Sequence, residues 1–233
     1  MKTFFLVAFI FQLFLIKPVF AAEKKKVKLP KVLGGVVRSK EWRMKRKTGE
    51  EEFTGDVSYK MPGYEINSDW ALYSRKRETI KLRGNVQGKK MWEDDSITQA
   101  NAYSGRYSVK LGKIWLFPSP QEDPVTILHT DPKHGDWEST SDTAVFDEKT
   151  RVLTLDGNTE ISGYDIQSKS DSAKYTHLVS LLELFGAPII WGSYDNYDFA
   201  IQGDTAEVSK FYQEIRVEGK VRGWVYLALS LLD

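Results

Sequence analysis

An all-β chain of stacked hairpin modules is the fold class this sequence predicts, and three observations carry it. First, an aspartate is followed at two, four and fifteen residues by alanine, a large apolar residue and glycine: Asp69-Ala71-Tyr73-Gly84, Asp142-Ala144-Phe146-Gly157, Asp171-Ala173-Tyr175-Gly186 and Asp204-Ala206-Val208-Gly219. Second, the positions four and two before each glycine are apolar as well: Ile80 and Leu82, Leu153 and Leu155, Leu182 and Leu184, Ile215 and Val217. Third, no amphipathic helical stretch stands out beyond the first residues, and even residues 176–185 keep a period of two.

A spacing of two marks one face of a strand, because successive side chains point to opposite sides of a sheet. Each copy therefore reads as strand, polar turn, strand. Ser74-Arg75-Lys76-Arg77-Glu78-Thr79 and Asp147-Glu148-Lys149-Thr150-Arg151 supply solvated turns of hairpin length. The glycine falls late in the second strand, where it marks a bulge or a tight bend. Gly157 to Gly186 is 29 residues and Gly186 to Gly219 is 33. Units fixed inside and variable between are what stacked β modules with unequal loops produce.

The elements follow in chain order. Residues 1–22 read as a signal peptide: Lys2 opens it, residues 4–16 form its apolar core, and Val19-Phe20-Ala21-Ala22 ends in small residues fit for cleavage. Thirteen apolar residues closed by Lys17 and Pro18 are short of the roughly 20 a membrane span needs, and an uncleaved anchor is the alternative. Residues 23–50 read as a basic flexible arm, with Lys and Arg far outnumbering Glu23 and Glu41 up to Lys47. Two readings of the arm stand, a solvated linker or attraction to anionic headgroups or phosphates. Residues 51–233 form the β domain. Phe53-Gly55-Val57 opens it as a half-copy, and residues 96–115 carry a degenerate copy ending at Leu111-Gly112. Residues 117–136 hold Pro118, Pro120, Pro124 and Pro132 and read as a long loop between two halves. The segment 224–232 has eight apolar residues in nine, so it is either an exposed edge that templates pairing or a strand that closes the molecule's own sheet.

Composition narrows the function classes. The chain has no cysteine, so an exported domain of this kind holds together by sheet pairing and apolar packing. A formal net charge of +1 argues against a nucleic-acid binder. His129, Asp131, His134 and Asp136 are the sole metal-like constellation, but their spacing matches no ligand motif and a proline interrupts them, so no metal is expected. Gly84-Asn85-Val86-Gln87-Gly88-Lys89 lacks the length, hydroxyl residue and helix of a phosphate loop. No Gly-x-Ser-x-Gly elbow occurs. A β-solenoid enzyme acting on polysaccharide with the repeated carboxylates is one alternative, but four equivalent aspartates fit a structural part better than one catalytic pair. A structural envelope module without a small ligand is the other.

Four strings carry a family resemblance: Ile80-Lys81-Leu82-Arg83-Gly84-Asn85-Val86, Leu153-Thr154-Leu155-Asp156-Gly157-Asn158, Ile201-Gln202-Gly203-Asp204-Thr205-Ala206-Glu207-Val208 and Ile215-Arg216-Val217-Glu218-Gly219-Lys220-Val221. They resemble the repeats of the lipopolysaccharide-transport periplasmic proteins of the OstA-like family. The resemblance implies a β-jellyroll of stacked antiparallel strands, open at both ends, that carries lipopolysaccharide across the periplasm without catalysis or cofactor. It implies partners in the inner-membrane and outer-membrane parts of that machinery and head-to-tail homo-oligomers. A retained leader would make the chain an inner-membrane-anchored relative instead. Together with the alternation, it puts Ala71, Tyr73, Ile80, Leu82, Ala144, Phe146, Leu153, Leu155, Ala173, Tyr175, Leu182, Leu184, Ala206, Val208, Ile215 and Val217 on inner faces as candidate lipid-binding residues.

Overall fold

The computed structural model describes residues 31–32, 35–121, 123–133, 135–163, 165–194, 197–209 and 214–227. Strands run in chain order as β1 (Lys31–Val32), β2 (Gly35–Arg38), β3 (Glu41–Lys45), β4 (Glu50–Met61), β5 (Tyr64–Ser74), β6 (Thr79–Met91) and β7 (Ile97–Ser108). They continue as β8 (Lys113–Phe117), β9 (Val125–Thr130), β10 (Trp137–Ser141), β11 (Thr143–Asp147), β12 (Val152–Gly163) and β13 (Ile166–Thr176). The last are β14 (Leu181–Phe185), β15 (Ile189–Tyr194), β16 (Tyr197–Gln202), β17 (Thr205–Ser209), β18 (Glu214–Glu218) and β19 (Arg222–Leu227). A 3₁₀ turn, His177–Val179, joins β13 to β14. All pairings are antiparallel, as the hairpin reading predicts.

The strands make two facing layers because the long ones bend in the middle. β13 pairs through its second half with β14 and through its first half with β15. β7 likewise pairs with β8 and β9, and β4 with β3 and β2. One layer thus collects β3, β8, β11, β14, β17 and β18; the other collects β2, β9, β10, β15, β16 and β19. The long strands β4, β5, β6, β7, β12 and β13 serve both. One apolar core lies between the layers and draws on both, from Leu82, Leu155 and Leu184 on one side to Val86, Ile127 and Ile190 on the other. This is the β-jellyroll-like architecture expected from the sequence.

The bend explains the repeat. At Gly157 φ is +80° and at Asn158 +44°, two successive left-handed residues, and there the β12–β13 register shifts between Asp156 and Thr159. Glycine adopts that region freely, whereas other L-residues lose roughly 1–2 kcal/mol there. The space a Cβ would take is filled by the Asp142 carboxylate. Asp142 N–H donates to the Gly157 carbonyl at 2.9 Å, and Asn158 Nδ2 donates to Asp142 Oδ2 at 3.0 Å. The same corner recurs at Gly84 with Asp69 and Asn85, and the carboxylates of Asp171 and Asp204 cover Gly186 and Gly219. The fifteen-residue interval is the path from one corner, around a hairpin, to the facing corner.

Two further copies escape the aspartate-glycine signature. Lys40 N–H donates to the Gly55 carbonyl at 2.9 Å and its Nζ lies 2.8 Å from Asp56, so here the charges of the corner are exchanged. In the other, Gly105 and Tyr107 face Leu116 and Ile114, which puts Tyr103 where the aspartate belongs and Pro118 where the glycine belongs. The expected degenerate copy ending at Leu111-Gly112 is therefore in the wrong register, since Gly112 lies in the turn between β7 and β8.

Two boundaries also move. The expected arm over 23–50 and a fold starting near Glu51 give way to β2 and β3, both paired with β4. Arg43 stands opposite Glu52 and Lys45 opposite Glu50, and opposite charges across a strand pair favour the ladder. Residues 1–22 and 23–30 lie outside the described residues; among the described residues no helix is long and apolar enough to cross a membrane. The expected loop over 117–136 contains β9. Pro118, Pro120 and Pro124 precede that strand and Pro132 follows it, so none removes a ladder N–H, and Val125, Ile127 and His129 alternate inward.

Candidate functional site

The sixteen sequence-selected residues all lie on the inner face of the β3–β18 layer, in two cross-strand rows. One row runs Phe53, Ala71, Leu82, Gly105, Leu116, Ala144, Leu155, Ala173, Leu184, Ala206, Val217, small alternating with large. The other runs Tyr73, Ile80, Tyr107, Ile114, Phe146, Leu153, Tyr175, Leu182, Val208, Ile215, with rings alternating with aliphatic chains over most of its length. Such alternation lets neighbouring strands fill one surface without voids. Fifteen of the sixteen are core or packed against it, while Ile215, on the outermost strand β18, is 36% exposed.

The opposite inner face was not legible as a repeat. It carries Ile66, Gly88, Ala100, Ile127, Ser139, Ile161, Ser168, Ile190 and Ile201 in one row, small against large from Ala100 to Ile190. The available signal was the alternation resuming beyond each corner, displaced by the bulge. This face is more polar, for Ser139, Ser168 and His129 are buried in it. Between the layers lie cavities of about 90 Å³ and about 30 Å³, which share Ile66 and Leu82 as walls. Even the larger is below the ~150 Å³ that holds a benzene molecule, so an acyl chain enters only if the layers part.

His129 and Asp131 occupy different roles from a metal centre. His129 Nδ1 is 2.9 Å from Thr98 Oγ1, and its ring meets those of Trp137, Tyr175 and His177 within 5.7 Å. Asp131 accepts from Lys133 N–H, and Asp136 accepts from Asp131 N–H, so both carboxylates cap the turn. His134 lies outside the described residues, and among those described no group of three metal-ligating side chains comes together.

Where the layers' hairpin ends meet, a polar clasp closes the side of the seam, and sequence reasoning missed it. Trp92 stacks on His177 at 3.8 Å and 22°, and Asp94 lies 3.4 Å from His177 Nε2. Arg151 Nη2 donates to both Glu93 oxygens, at 3.1 and 3.0 Å. Tyr107 donates to Glu148 at 3.0 Å, and Lys90 lies 3.7 Å from the Tyr64 ring centroid. Burial lowers the Lys90 ammonium below its ordinary pKa, with Glu148 opposing. Burial likewise lowers the His177 imidazole against the pull of Asp94, and raises the phenols of Tyr64 and Tyr107 with help from Glu148. Arg151, expected as an exposed turn residue, is a closing contact between layers. The acid-rich turn 92–95 gave no hint of what it meets, because its partner is 58 residues away.

At the mouth formed by β3 and β4 the aromatic row ends in a charge. Glu51 is 1% exposed, 2.6 Å from Arg75 Nη2, and accepts from Trp42 Nε1 at 3.3 Å. At the other mouth β18 and β19 are the outer strands, and Trp224, Val225 and Tyr226 are exposed. β19 pairs with β16 and has no second partner among the described residues, so it closes this chain's own layer and also presents an edge.

No protein-family profile and no curated protein matches the chain. Among solved structures, it is similar to LptH of Pseudomonas aeruginosa, described as the LptA-homologous periplasmic component of the conserved lipopolysaccharide transport device. The likeness has 14% identity and a TM-score of 0.45, and covers 55% of this chain and 82% of that one.

Proposed function

We propose that this chain is a non-enzymatic, periplasmic lipopolysaccharide carrier that takes acyl chains between its two layers and bridges inner-membrane and outer-membrane components of a transport machinery. The observation that carries the reading is the seam itself: sixteen repeat residues share one apolar inner face that runs the length of the stack. The resemblance of the repeat strings supplies the ligand. The repeated aspartates, the basis of the enzyme alternative, are accounted for by the corner glycines they cover. Purifying the chain from a Gram-negative host and assaying the preparation for bound lipopolysaccharide tests the reading; a folded preparation free of it, and unable to acquire it, counts against.

Head-to-tail association belongs to the same reading, because an edge strand extends a sheet through backbone hydrogen bonds. Ending the chain at Gly223 removes most of β19 and leaves β16 as the outer strand of its layer. The expected result is a folded monomer that no longer associates, measured by light scattering with circular dichroism on the same sample. Association equal to that of the full chain would set the β19 edge aside.

A further inference from the structure

We propose that the clasp is a side opening of the seam and that Arg151 and Lys90 form a headgroup subsite for an amphiphile: an alkyl or acyl chain ending in phosphate or carboxylate. The inference deepens the carrier reading and rests on it for the presence of a chain between the layers. Its basis is the way charge is sorted across the clasp. Lys90, Arg151 and His177 line the larger cavity, whose other walls include Ile66, Phe146 and Leu153; Glu65 lines it too but is paired with Lys60, while Glu93 and Asp94 do not line it. The cations therefore face inward and their acidic partners stand on the solvent side. Glu93 is 84% exposed, and an ion pair with so open a partner is worth about 0–1 kcal/mol, so it exchanges readily. Its two oxygens already hold Arg151 as a phosphate or carboxylate headgroup would.

A second observation points the same way. The His177 side chain is 8% exposed, lines the cavity, and its Nδ1 is buried without a hydrogen-bond partner among the described residues. A buried polar atom left so is costly; with Nε2–H turned to Asp94, Nδ1 donates to a headgroup oxygen only in the imidazolium form, which an anion arriving beside it favours. Lys90 is in a related position, its ammonium half-buried against the rings of Tyr64 and Trp92. The cavity is too small for a chain while Trp92 stacks on His177, so chain uptake and clasp opening are one event: Glu93 leaves Arg151, the headgroup replaces it, and the chain displaces the stack.

Calorimetric titration with dodecyl phosphate below its micelle concentration, dodecanol and inorganic phosphate tests this. Dodecyl phosphate is expected to bind about tenfold or more tightly than dodecanol, the scale of one charge-assisted contact, with inorganic phosphate alone giving no binding. Arg151→Gln should weaken dodecyl phosphate about tenfold while dodecanol, which gains nothing from the guanidinium and meets one closing contact fewer, binds no more weakly than to the parent; Arg151→Lys should fall between, and Glu93→Gln should tighten dodecyl phosphate several-fold by removing the competitor. Wild-type affinity for dodecyl phosphate in both Arg151→Gln and Glu93→Gln overturns the subsite, as does inorganic phosphate binding as tightly as dodecyl phosphate. Lipopolysaccharide capture indifferent to Arg151→Gln removes the subsite and leaves the carrier reading standing. Dodecyl phosphate held through Arg151 by a chain that captures no lipopolysaccharide supports the subsite and removes the carrier reading.

Discussion

Replacing Gly157 by alanine should lower the unfolding free energy by about 2–4 kcal/mol, more than most single substitutions in so small a volume change. The left-handed backbone at φ +80° accounts for roughly 1–2 kcal/mol of that. The rest comes from the methyl group falling on the Asp142 carboxylate, which must swing away and give up the bond from Asn158 Nδ2. Asp142→Ala alone forfeits that bond but opens the space. The double variant should therefore cost at least about 1 kcal/mol less than the sum of the singles, as neighbours sharing a clash do not add. Urea unfolding with matched slopes measures all three. Additive costs would mean that Asp142 does not fill the corner.

Leu155→Glu should prevent stable folding. Leu155 is 1% exposed, between Ala144 and Ala173 in the small-large row, and a carboxylate there has no cation beside it. Burying such a charge costs about 3–5 kcal/mol or more, a large part of the roughly 5–15 kcal/mol by which domains are stable. Leu155→Ala, which leaves a cavity without a charge, should cost about 2–5 kcal/mol and keep a cooperative transition. Lys76→Glu in the exposed turn between β5 and β6 should change stability by no more than about 0.5 kcal/mol. Thermal unfolding by circular dichroism separates the three. A Leu155→Glu protein as stable as the parent would place this position outside the core.

What could be read from the sequence follows from where the information is local. Asp69, Asp142, Asp171 and Asp204 with their glycines belong to one hairpin each, so both the strands and the sixteen inward residues of one layer were visible as a pattern. The copy at Gly105 was misplaced because Tyr103 and Pro118 stand where the pattern needs Asp and Gly, and the Lys40–Gly55 corner because its charges are exchanged. The second inner face lost its phase at every bulge. β2 and β3 were hidden by charge: Arg43 and Lys45 read as a solvated run until Glu52 and Glu50 stand opposite them. The clasp lay beyond reach altogether, since Trp92 and His177 are brought together only by two layers closing on one another.

On the proposed carrier reading an acyl chain runs along the inner face at the cavity, and Phe146 is the place to test it, half-buried on that wall and beside Trp92 at 5.6 Å. A photo-crosslinking phenylalanine analogue at position 146, with Lys76 as the outward comparison, is irradiated in living Gram-negative cells and probed for lipopolysaccharide adducts. The expected result is an adduct from position 146 and none from position 76. A folded chain that yields no adduct from position 146, or as much from position 76, contradicts it.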